Sequence, residues 1–282
     1  MSTYKNCDIY LTTKHHKQKV IAPIFASELI ANIITCELDT DVFGTFSGEI
    51  PRTLNAIEAA RKKCLWGLET TNSYLGLSSE GSFGPHPVMN FLPCNHEILY
   101  FIDRKLDFHL YEIITSAKTN YQMKVIKSID ELMDFAMCAQ YPSHGLIIRP
   151  NIIKKDPILY KGLTTNSLLI EAFENCITHS SDRQVWVETD MRAHMNPSRM
   201  SVISELSIKL AKRLKELCKS CGTPGWGVTR VERGLECEQC GFATEVIKYE
   251  IFTCAKCTAE EKSLRTDVLR HADPGNCGNC NP

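Results

Sequence analysis

Short apolar runs alternate with amphipathic stretches through residues 1–217, and this pattern is typical of a mixed-sheet α/β domain. Strands are predicted at 7–12, 33–38, 75–78, 97–102, 109–115, 145–149 and 184–187. Helices are predicted at 17–31, 53–68 and 128–138, and within 163–179. Segments 39–50 and 79–87 are rich in Gly, Ser, Thr, Asp or Pro, so loops are predicted there.

The helix with the clearest start signal begins after Asn196. This residue occupies an N-cap position, and Pro197 follows at the first helical position, where proline is favoured. Apolar residues then recur every three or four positions up to Leu217, with basic residues largely on the opposite side. We therefore predict an amphipathic packing helix that closes the first domain, residues 1–217. Its basic side is interpreted as a solvated surface rather than a nucleic-acid contact.

Eight of the fourteen cysteines lie in Cys-x-x-Cys pairs after Leu217, whereas the other six are scattered singly. Thiolates bind Zn²⁺ tetrahedrally, and one such pair supplies half of a four-thiolate site. The pairs are Cys218 with Cys221, Cys237 with Cys240, Cys254 with Cys257, and Cys277 with Cys280. Residues 218–282 are therefore predicted to form a small zinc-ribbon-like domain that holds two structural Zn²⁺ ions.

The spacing of the four motifs favours one pairing and leaves a second one open. Fifteen residues separate Cys221 from Cys237 and nineteen separate Cys257 from Cys277, and both distances are typical of a single zinc site. Sequential pairing is therefore expected first, and the alternative is an interleaved arrangement of first with third and second with fourth. A four-thiolate site has no open coordination position, so these ions are expected to be structural rather than catalytic.

The formal net charge of −1 gives the chain no bulk attraction to a polyanion, so nucleic acid is not favoured as a partner but stays an alternative. The cysteine-rich segment itself holds eight basic and nine acidic side chains. No secretion signal stands at the amino terminus, and no apolar stretch approaches the roughly 20 residues of a membrane span. We expect a cytoplasmic protein with reduced thiols and no membrane partner, and the sequence leaves its oligomeric state open.

Three polar regions between predicted elements carry candidate chemistry: residues 12–17, residues 44–52 together with 80–87, and residues 188–199. Lysines and backbone N–H groups between a strand and a helix can hold phosphate. Carboxylates gathered from separate loops can hold Mg²⁺, and arginines bind phosphates through two hydrogen bonds. The alternative for each region is a hydrogen-bonded loop with surface ion pairs.

The hypothesis assigns two groups of residues to such a site. The predicted catalytic residues are Glu49, Glu80, Asp190 and His194. The predicted substrate-binding residues are Lys14, Lys17, Arg52, Arg192, Asn196 and Arg199. Mg²⁺ would be a second cofactor beside zinc, and the substrate would be a phosphorylated small molecule.

Segments GTFSGEIPR (44–52), SEGSFGPHP (79–87), ETDMRAHMNPSRM (188–200), CGTPGWG (221–227) and ADPGNCGNCNP (272–282) are similar to those of a bacterial family. That family is described as a domain of unknown function, with four Cys-x-x-Cys pairs in its carboxyl-terminal part. The resemblance covers nearly the whole chain and implies no particular activity.

The segment from Thr12 to Lys17 is similar to the opening Ser/Thr-x-Asn-x-x-Lys of house-cleaning nucleoside-triphosphate pyrophosphatases, with lysine where asparagine belongs. Thr45-Phe46, Asn55-Ala56 and Glu80-Gly81-Ser82 are similar to further segments of that family. The chain departs from the family in the longer spacing between the first two of these segments and in Glu80, which replaces an aspartate. The similarity implies hydrolysis of a nucleotide.

Two functions from different classes follow from these observations. The first is a Mg²⁺-dependent phosphohydrolase or nucleotide-processing enzyme with a structural zinc module. The alternative is a non-catalytic zinc-ribbon protein that binds RNA or a protein partner, with the α/β part as its scaffold.

Overall fold

The first apolar runs of the chain form a five-stranded sheet in the computed structural model, which describes residues 2–43, 54–86, 88–153, 157–267 and 269–282. Its strands are β1 (Asp8–Thr12), β2 (Asn32–Cys36), β3 (Leu75–Pro85), β4 (Pro93–Asp103) and β5 (Phe108–Ser116). Their spatial order is β2-β1-β3-β4-β5. β1 is parallel to β2 and β3, whereas β4 is antiparallel to β3 and β5. The predicted α/β fold with a mixed sheet is confirmed.

The helices of the described chain are α1 (Gln18–Leu29), α2 (Ala56–Thr71), α3 (Ile129–Cys138), α4 (Asn166–His179) and α5 (Pro197–Lys215). Alternate residues of β4 show which helices cover which face of the first sheet. Leu99 and Phe101 join the main core beneath α1 and α5, whereas Ile98 and Tyr100 meet α2 on the opposite face. The first sheet is therefore buried on both faces.

A second sheet follows between β5 and α5. Its strands are β6 (Met123–Ile126), β7 (Leu146–Pro150), β8 (Tyr160–Leu163) and β9 (Val185–Thr189), in the order β6-β9-β7-β8 with every pair antiparallel. A separate core beneath α3 and α4 contains Leu132, Leu146, Phe173 and Val187. The four-residue strands β6 and β8 were not predicted.

The carboxyl-terminal cysteines surround a three-stranded antiparallel ribbon. Its strands are β10 (Gly227–Arg233), β11 (Ile247–Thr253) and β12 (Glu260–Leu264). The ribbon begins soon after α5 ends, because Cys218 is the third residue beyond Lys215. A domain boundary between 217 and 218 stays a prediction.

The prediction of a loop at 79–87 was wrong for residues 79–85. These residues continue β3 and pair with β4 from Ser79 opposite Leu99 to Pro85 opposite Pro93. The glycine that suggested a turn serves a close approach instead: a Cβ on Gly81 would lie 2.3 Å from a guanidinium nitrogen of Arg199. The proline is tolerated because it closes the strand.

Other sequence signals agree with the structure. Asn196 is the N-cap of α5, and its side chain accepts a hydrogen bond of 2.9 Å from the backbone N–H of Arg199. Thr40–Phe43 form a short 3-10 helix, whereas the remainder of the predicted loop at 39–50 lies outside the described residues apart from its first residue. Among the described residues, no helix combines the length and the apolar character that a membrane crossing requires.

Candidate functional site

The eight paired cysteines form two groups of four. In each group the four sulfur atoms lie within 4.8 Å of one another. The closest pairs are 3.6 Å apart between Cys221 and Cys254 and 3.6 Å apart between Cys240 and Cys277. Four thiolates at a Zn–S distance of about 2.3 Å around a tetrahedral ion are about 3.8 Å apart. Each group therefore has the dimensions of a structural metal site.

The expected sequential pairing of the motifs is wrong, and the interleaved alternative is the one observed. Cys218 and Cys221 join Cys254 and Cys257 in what we name the proximal site, next to α5. The distal site contains Cys237, Cys240, Cys277 and Cys280.

Strand direction explains this interleaving. β10 and β11 are antiparallel, so Gly227 lies opposite Thr253, and the motif before β10 meets the motif after β11. β12 then returns to the other end of the ribbon, where Ala272 bridges to Cys237 and the last motif completes the distal site. The two sites therefore lie at opposite ends of the same small sheet.

Backbone N–H groups support the sulfur atoms of the proximal site. The N–H groups of Lys256 and Cys257 both lie 3.3 Å from the sulfur of Cys254. The hydroxyl and the backbone N–H of Thr223 lower the pKa of Cys221 to about 6. Such contacts favour the thiolate, which is the form that binds a metal ion. Four thiolates fill a tetrahedral shell, so the arrangement suits a structural ion.

A second candidate site lies where the order of the first sheet reverses. β1 lies between β2 and β3, and ligands of open α/β sheets bind beyond the carboxyl ends of strands at such a point. β1 pairs with β3 only as far as Thr12 opposite Ser78, whereas β3 continues to Pro85. Beyond Thr12, the second half of β3 therefore continues without β1 beside it, and we name this edge of the sheet the switch-point crevice.

Lys17 enters this crevice from the start of α1. Its ammonium group donates hydrogen bonds to the hydroxyl of Ser79 at 3.1 Å and to the carbonyl of Ser79 at 3.4 Å. The side chain is only 5% exposed. Burial, together with the nearby charge of Arg199, lowers the pKa of Lys17 to about 7. The amine is therefore poised to gain a proton when an anion arrives.

Two ion pairs that are shielded from solvent lie near Lys17. Lys63 on α2 pairs with Glu80 on β3. Arg199 on α5 pairs with Glu97 on β4 at 2.6 Å, and both of these side chains are fully buried. Arg199 also donates to the carbonyl oxygen of Met191 at 2.5 Å, which ties the first sheet to the segment after β9. Among the described residues, Lys17 thus lies in one buried charge cluster with these two ion pairs.

The segment after β9 contributes Asp190 and Arg192. Their side chains pair at 2.5 Å, and the Asp190 carboxylate also accepts a hydrogen bond of 3.1 Å from the backbone N–H of Gly162. Asp190 is fully buried, whereas Arg192 is partly exposed. This pair fixes the loop that leads into α5.

His194 lies in the same segment and stacks on His15, with their ring centroids 5.1 Å apart. The Nδ1 atom of His194 is shielded from solvent and has no hydrogen-bond partner among the described residues. His15 adopts a φ of 65°, which is uncommon for a residue with a side chain. Burial and the nearby charge of Lys17 lower the pKa of His15 to about 3, so its imidazole is neutral at pH 7.

A cavity of about 320 Å³ lies beyond the carboxyl ends of β1 and β2. Its lining includes His15 and His16, and the ion pair of Lys14 with Asp39 lies beside them. Of the two lysines predicted to bind phosphate, Lys14 lines this cavity and Lys17 is not among its lining residues.

The structure places the predicted site residues in three places. Lys17, Glu80 and Arg199 lie in the buried charge cluster. Arg192 and His194 lie beside Asp190 on the segment after β9, and Asn196 caps α5. Lys14 lies at the cavity, whereas Glu49 and Arg52 are outside the described residues.

Glu80 and Asp190 each have their own cationic partner, Lys63 and Arg192. Within the described ranges, only the cysteines form a group of three or more side chains arranged to hold a metal ion. Convergence of Glu49, Glu80 and Asp190 on one Mg²⁺ ion stays a prediction.

Sequence reasoning missed three residues of the cluster. Glu97 opens an apolar strand, Lys63 lies within a basic helix, and Asn95 precedes Glu97 by two positions on the same face of β4. The side chain of Asn95 is fully buried, and neither amide atom has a partner among the described residues. Glu97 could have been predicted as a site residue, because a charged residue at the start of an apolar strand is unusual.

A family model described as "Domain of unknown function (DUF6671)" matches residues 63–282. No curated protein and no solved structure matches the chain. The comparisons therefore give no support to the similarity with nucleoside-triphosphate pyrophosphatases. The family match spans well over half of the chain and includes the charge cluster from Lys63 onward and both cysteine sites. The chain belongs to the DUF6671 family.

Proposed function

We propose that the α/β part binds a phosphorylated small molecule at the switch-point crevice and hydrolyses it, as a Mg²⁺-dependent phosphohydrolase or nucleotide-processing enzyme. One observation carries this proposal: the amine of Lys17 is buried and, among the described residues, donates hydrogen bonds only to Ser79, beside the ion pairs of Lys63 with Glu80 and Arg199 with Glu97. A buried amine without a carboxylate partner is costly to charge, and a bound anion would stabilise its charged form.

Unpaired polar atoms give the proposal further support. The Nδ1 atom of His194 and both amide atoms of Asn95 are buried without hydrogen bonds among the described residues. Each such group costs about 1–3 kcal/mol relative to a paired one. A ligand with both donors and acceptors would satisfy them when it binds.

In this proposal Lys17 and Lys14 bind the phosphate, and Arg52, Arg192 and Arg199 neutralise charge as it develops on the phosphoryl group. Glu49, Glu80 and Asp190 would hold Mg²⁺ or activate water, with His194 as a proton acceptor. Asn196 positions Arg199 through its cap of α5. Zn²⁺ in the proximal and distal sites is structural, and its thiolates fit the reducing conditions of the cytoplasm.

The rival function, a zinc ribbon that binds RNA, is disfavoured by the ribbon's ion pairs. Most of its basic side chains already pair with an acidic neighbour, so its surface offers phosphate little net positive charge. These pairs are Lys219 with Glu261, Arg230 with Glu260, Arg233 with Glu245, Lys248 with Glu236, Lys262 with Glu232, and Arg265 with Asp267.

The decisive test incubates the purified chain with each nucleoside triphosphate and Mg²⁺ and measures release of phosphate and pyrophosphate. Lys17→Met should reduce release about 100-fold, because it removes a buried cation from the site. Lys19→Met is the matched control, since Lys19 is exposed on the same helix and should leave the rate unchanged. Asp190→Asn should also abolish release while far-ultraviolet circular dichroism shows a retained fold.

If no nucleotide is hydrolysed and calorimetry detects no binding of pyrophosphate, the enzymatic proposal fails. The binding-module rival would then stand ahead. Hydrolysis that is equally reduced by the substitutions of Lys17 and Lys19 would place the active site elsewhere.

A further inference from the structure

The proximal cysteine site is built onto the end of α5. The backbone N–H groups of Gly225 and Trp226 donate hydrogen bonds to the carbonyl oxygen of Glu216, the residue after the helix, at 2.9 and 3.1 Å. The first cysteine of the site, Cys218, follows two residues later. The loop that carries the first motif therefore wraps around the carboxyl end of α5.

The same site also reaches into the main core of the α/β part. Ala255, between Cys254 and Cys257, packs against that core. Gly225 lies so close to β5 that a Cβ at this position would be 2.4 Å from a methyl carbon of Leu110. Lys256 donates a hydrogen bond of 2.6 Å to the carbonyl oxygen of Leu106. These contacts make the proximal site part of the core boundary.

Arg213 adds a polar connection from α5. Its Nε donates to the carbonyl oxygen of Gly225 at 3.1 Å, and its Nη1 donates to the Glu112 carboxylate at 2.6 Å. The Glu112 carboxylate is itself largely buried. Helix, sheet and proximal loop are therefore joined at one side chain.

Among the described residues, the distal site has no comparable connection to the α/β part. Ala272 bridges to Cys237, and Glu238 donates to the carbonyl oxygen of Ala272 at 3.0 Å. Within the described parts of 235–246 and 265–282, hydrogen bonds and ion pairs end on other ribbon residues. The distal site therefore stabilises the ribbon and makes no described contact with the α/β part.

α5 extends from the proximal site to the charge cluster. Its 19 residues span about 28 Å, and Arg199 lies in its first turn, paired with Glu97. Because contacts fix α5 at both ends, we expect a displacement of one end to reach the other.

We propose that the two zinc sites have different roles: the proximal site holds α5, and with it Arg199, in place, whereas the distal site stabilises only the ribbon. Occupancy of the proximal site then controls anion binding at the opposite end of the helix. The anion-binding part of this inference rests on the proposed function, and the effect on α5 stands independently of it.

Cys221→Ser and Cys240→Ser form a matched pair for the test. Each residue is the exposed second cysteine of its motif and precedes a glycine with φ near +70°. Both variants should lose one of two zinc ions by elemental analysis. Hydrogen exchange of the α5 amides, read by mass spectrometry, should accelerate about tenfold or more in Cys221→Ser and stay near wild type in Cys240→Ser.

Gly225→Ala and Gly234→Ala provide a second pair that leaves all cysteines intact. Both glycines have φ above +100°, so both substitutions strain the backbone, but the Cβ at Gly234 meets nothing closer than 4.0 Å. Only Gly225→Ala pushes the proximal loop away from Leu110. We expect its thermal midpoint to lie roughly 5 °C below that of Gly234→Ala with two zinc ions still bound.

Several outcomes would overturn the inference. One is equal acceleration, or none, of α5 exchange in the two cysteine variants. If Cys221→Ser does not fold while Cys240→Ser does, the asymmetry is supported, and if neither folds the glycine pair decides. Equal midpoints for the two glycine variants would then refute it.

Anion binding separates this inference from the proposed function. Pyrophosphate affinity, measured by calorimetry, should fall at least tenfold in Gly225→Ala and stay unchanged in Gly234→Ala. Absence of pyrophosphate binding to the wild type would refute the proposed function, and α5 exchange would still decide on the role of the proximal site.

Discussion

Arg199 and Glu97 illustrate how a single side chain sets the stability of this fold. Both are fully buried and 2.6 Å apart, so loss of either the carboxylate or the guanidinium takes an ion-pair partner from a charge in the interior. We expect Glu97→Gln to lower the free energy of unfolding by about 3 kcal/mol, measured by urea denaturation. Lys118 and Glu205 form an exposed pair at 3.1 Å, so Glu205→Gln should cost less than about 1 kcal/mol. Similar losses in both variants would contradict the burial argument.

Lys17 makes stability depend on pH in an unusual direction. Its pKa falls from 10.5 in the unfolded chain to about 7 in the folded one, because burial disfavours the charged amine. Between these values the unfolded chain binds a proton that the folded chain does not, so stability rises with pH. We expect the wild type to gain stability relative to Lys17→Met as the pH rises from 7 to 10.5, measured by urea denaturation. A constant difference across that window would show that the amine is not desolvated.

At this scale the sequence located part of the candidate site. The density of charged residues in 188–199 led to Arg192 and Arg199, which do lie at or beside the charge cluster. The partners of these residues were not predictable, because Glu97 comes to Arg199 from 102 positions away through the pairing of strands. A single sequence shows which charges are present and leaves open which of them meet.

Among the elements, α5 shows how far local signals extend. Its start at Pro197 was predicted from Asn196, and the structure confirms the cap. The Asn196 amide also donates to the Asn120 side chain at 2.8 Å, so this cap ties the start of α5 to the loop between β5 and β6. The prediction at 79–87 went wrong because glycine and proline are ambiguous: the same residues mark a turn or, as here, a close approach inside a strand.

Comparison of the N-caps of α3 and α5 measures how much the second contact of Asn196, its hydrogen bond to Asn120, contributes to stability. Ser128→Ala removes only the cap of α3 and should cost about 1 kcal/mol of unfolding free energy. Asn196→Ala removes the cap of α5 and leaves Asn120 with a buried unpaired amide oxygen, so we expect a cost of about 2 kcal/mol or more. Equal costs in urea denaturation would argue against the second contact.

For the molecule as a whole, metal content is the first property to measure. Eight thiolates in two tetrahedral groups should bind about two Zn²⁺ ions per chain, readable by elemental analysis of protein purified without added metal. A chelator should destabilise the ribbon, since such small units derive much of their folding free energy from the ion. A metal content near zero with four disulfides present would contradict the assignment.

Motif spacing pointed to the eight cysteines that cluster in the structure but not to their grouping. The interleaved arrangement closes loops of 32 and 36 residues, against fifteen and nineteen for the sequential one. The entropy of loop closure differs by less than about 1 kcal/mol per site, so spacing alone does not decide the pairing. The direction of three short strands decides the pairing, and these strands carry few apolar signals that a sequence reading could use. A short motif is enough to predict which cysteines cluster, whereas the grouping of the motifs depends on how the strands of the ribbon pair.

The interleaved grouping has a consequence for how the chain acquires its metal during synthesis. The first two motifs leave the ribosome before the third, and fifteen residues separate them, against 32 between Cys221 and Cys254. The entropy of closing the longer loop differs by only about 0.7 kcal/mol, so loop length barely opposes an early ion captured by the wrong four thiolates. The native grouping becomes favoured only after β11 has been synthesised and has paired with β10. An ion bound before then must exchange two of its cysteine ligands. We therefore expect maturation of this protein to depend on when zinc is delivered as well as on how much is present.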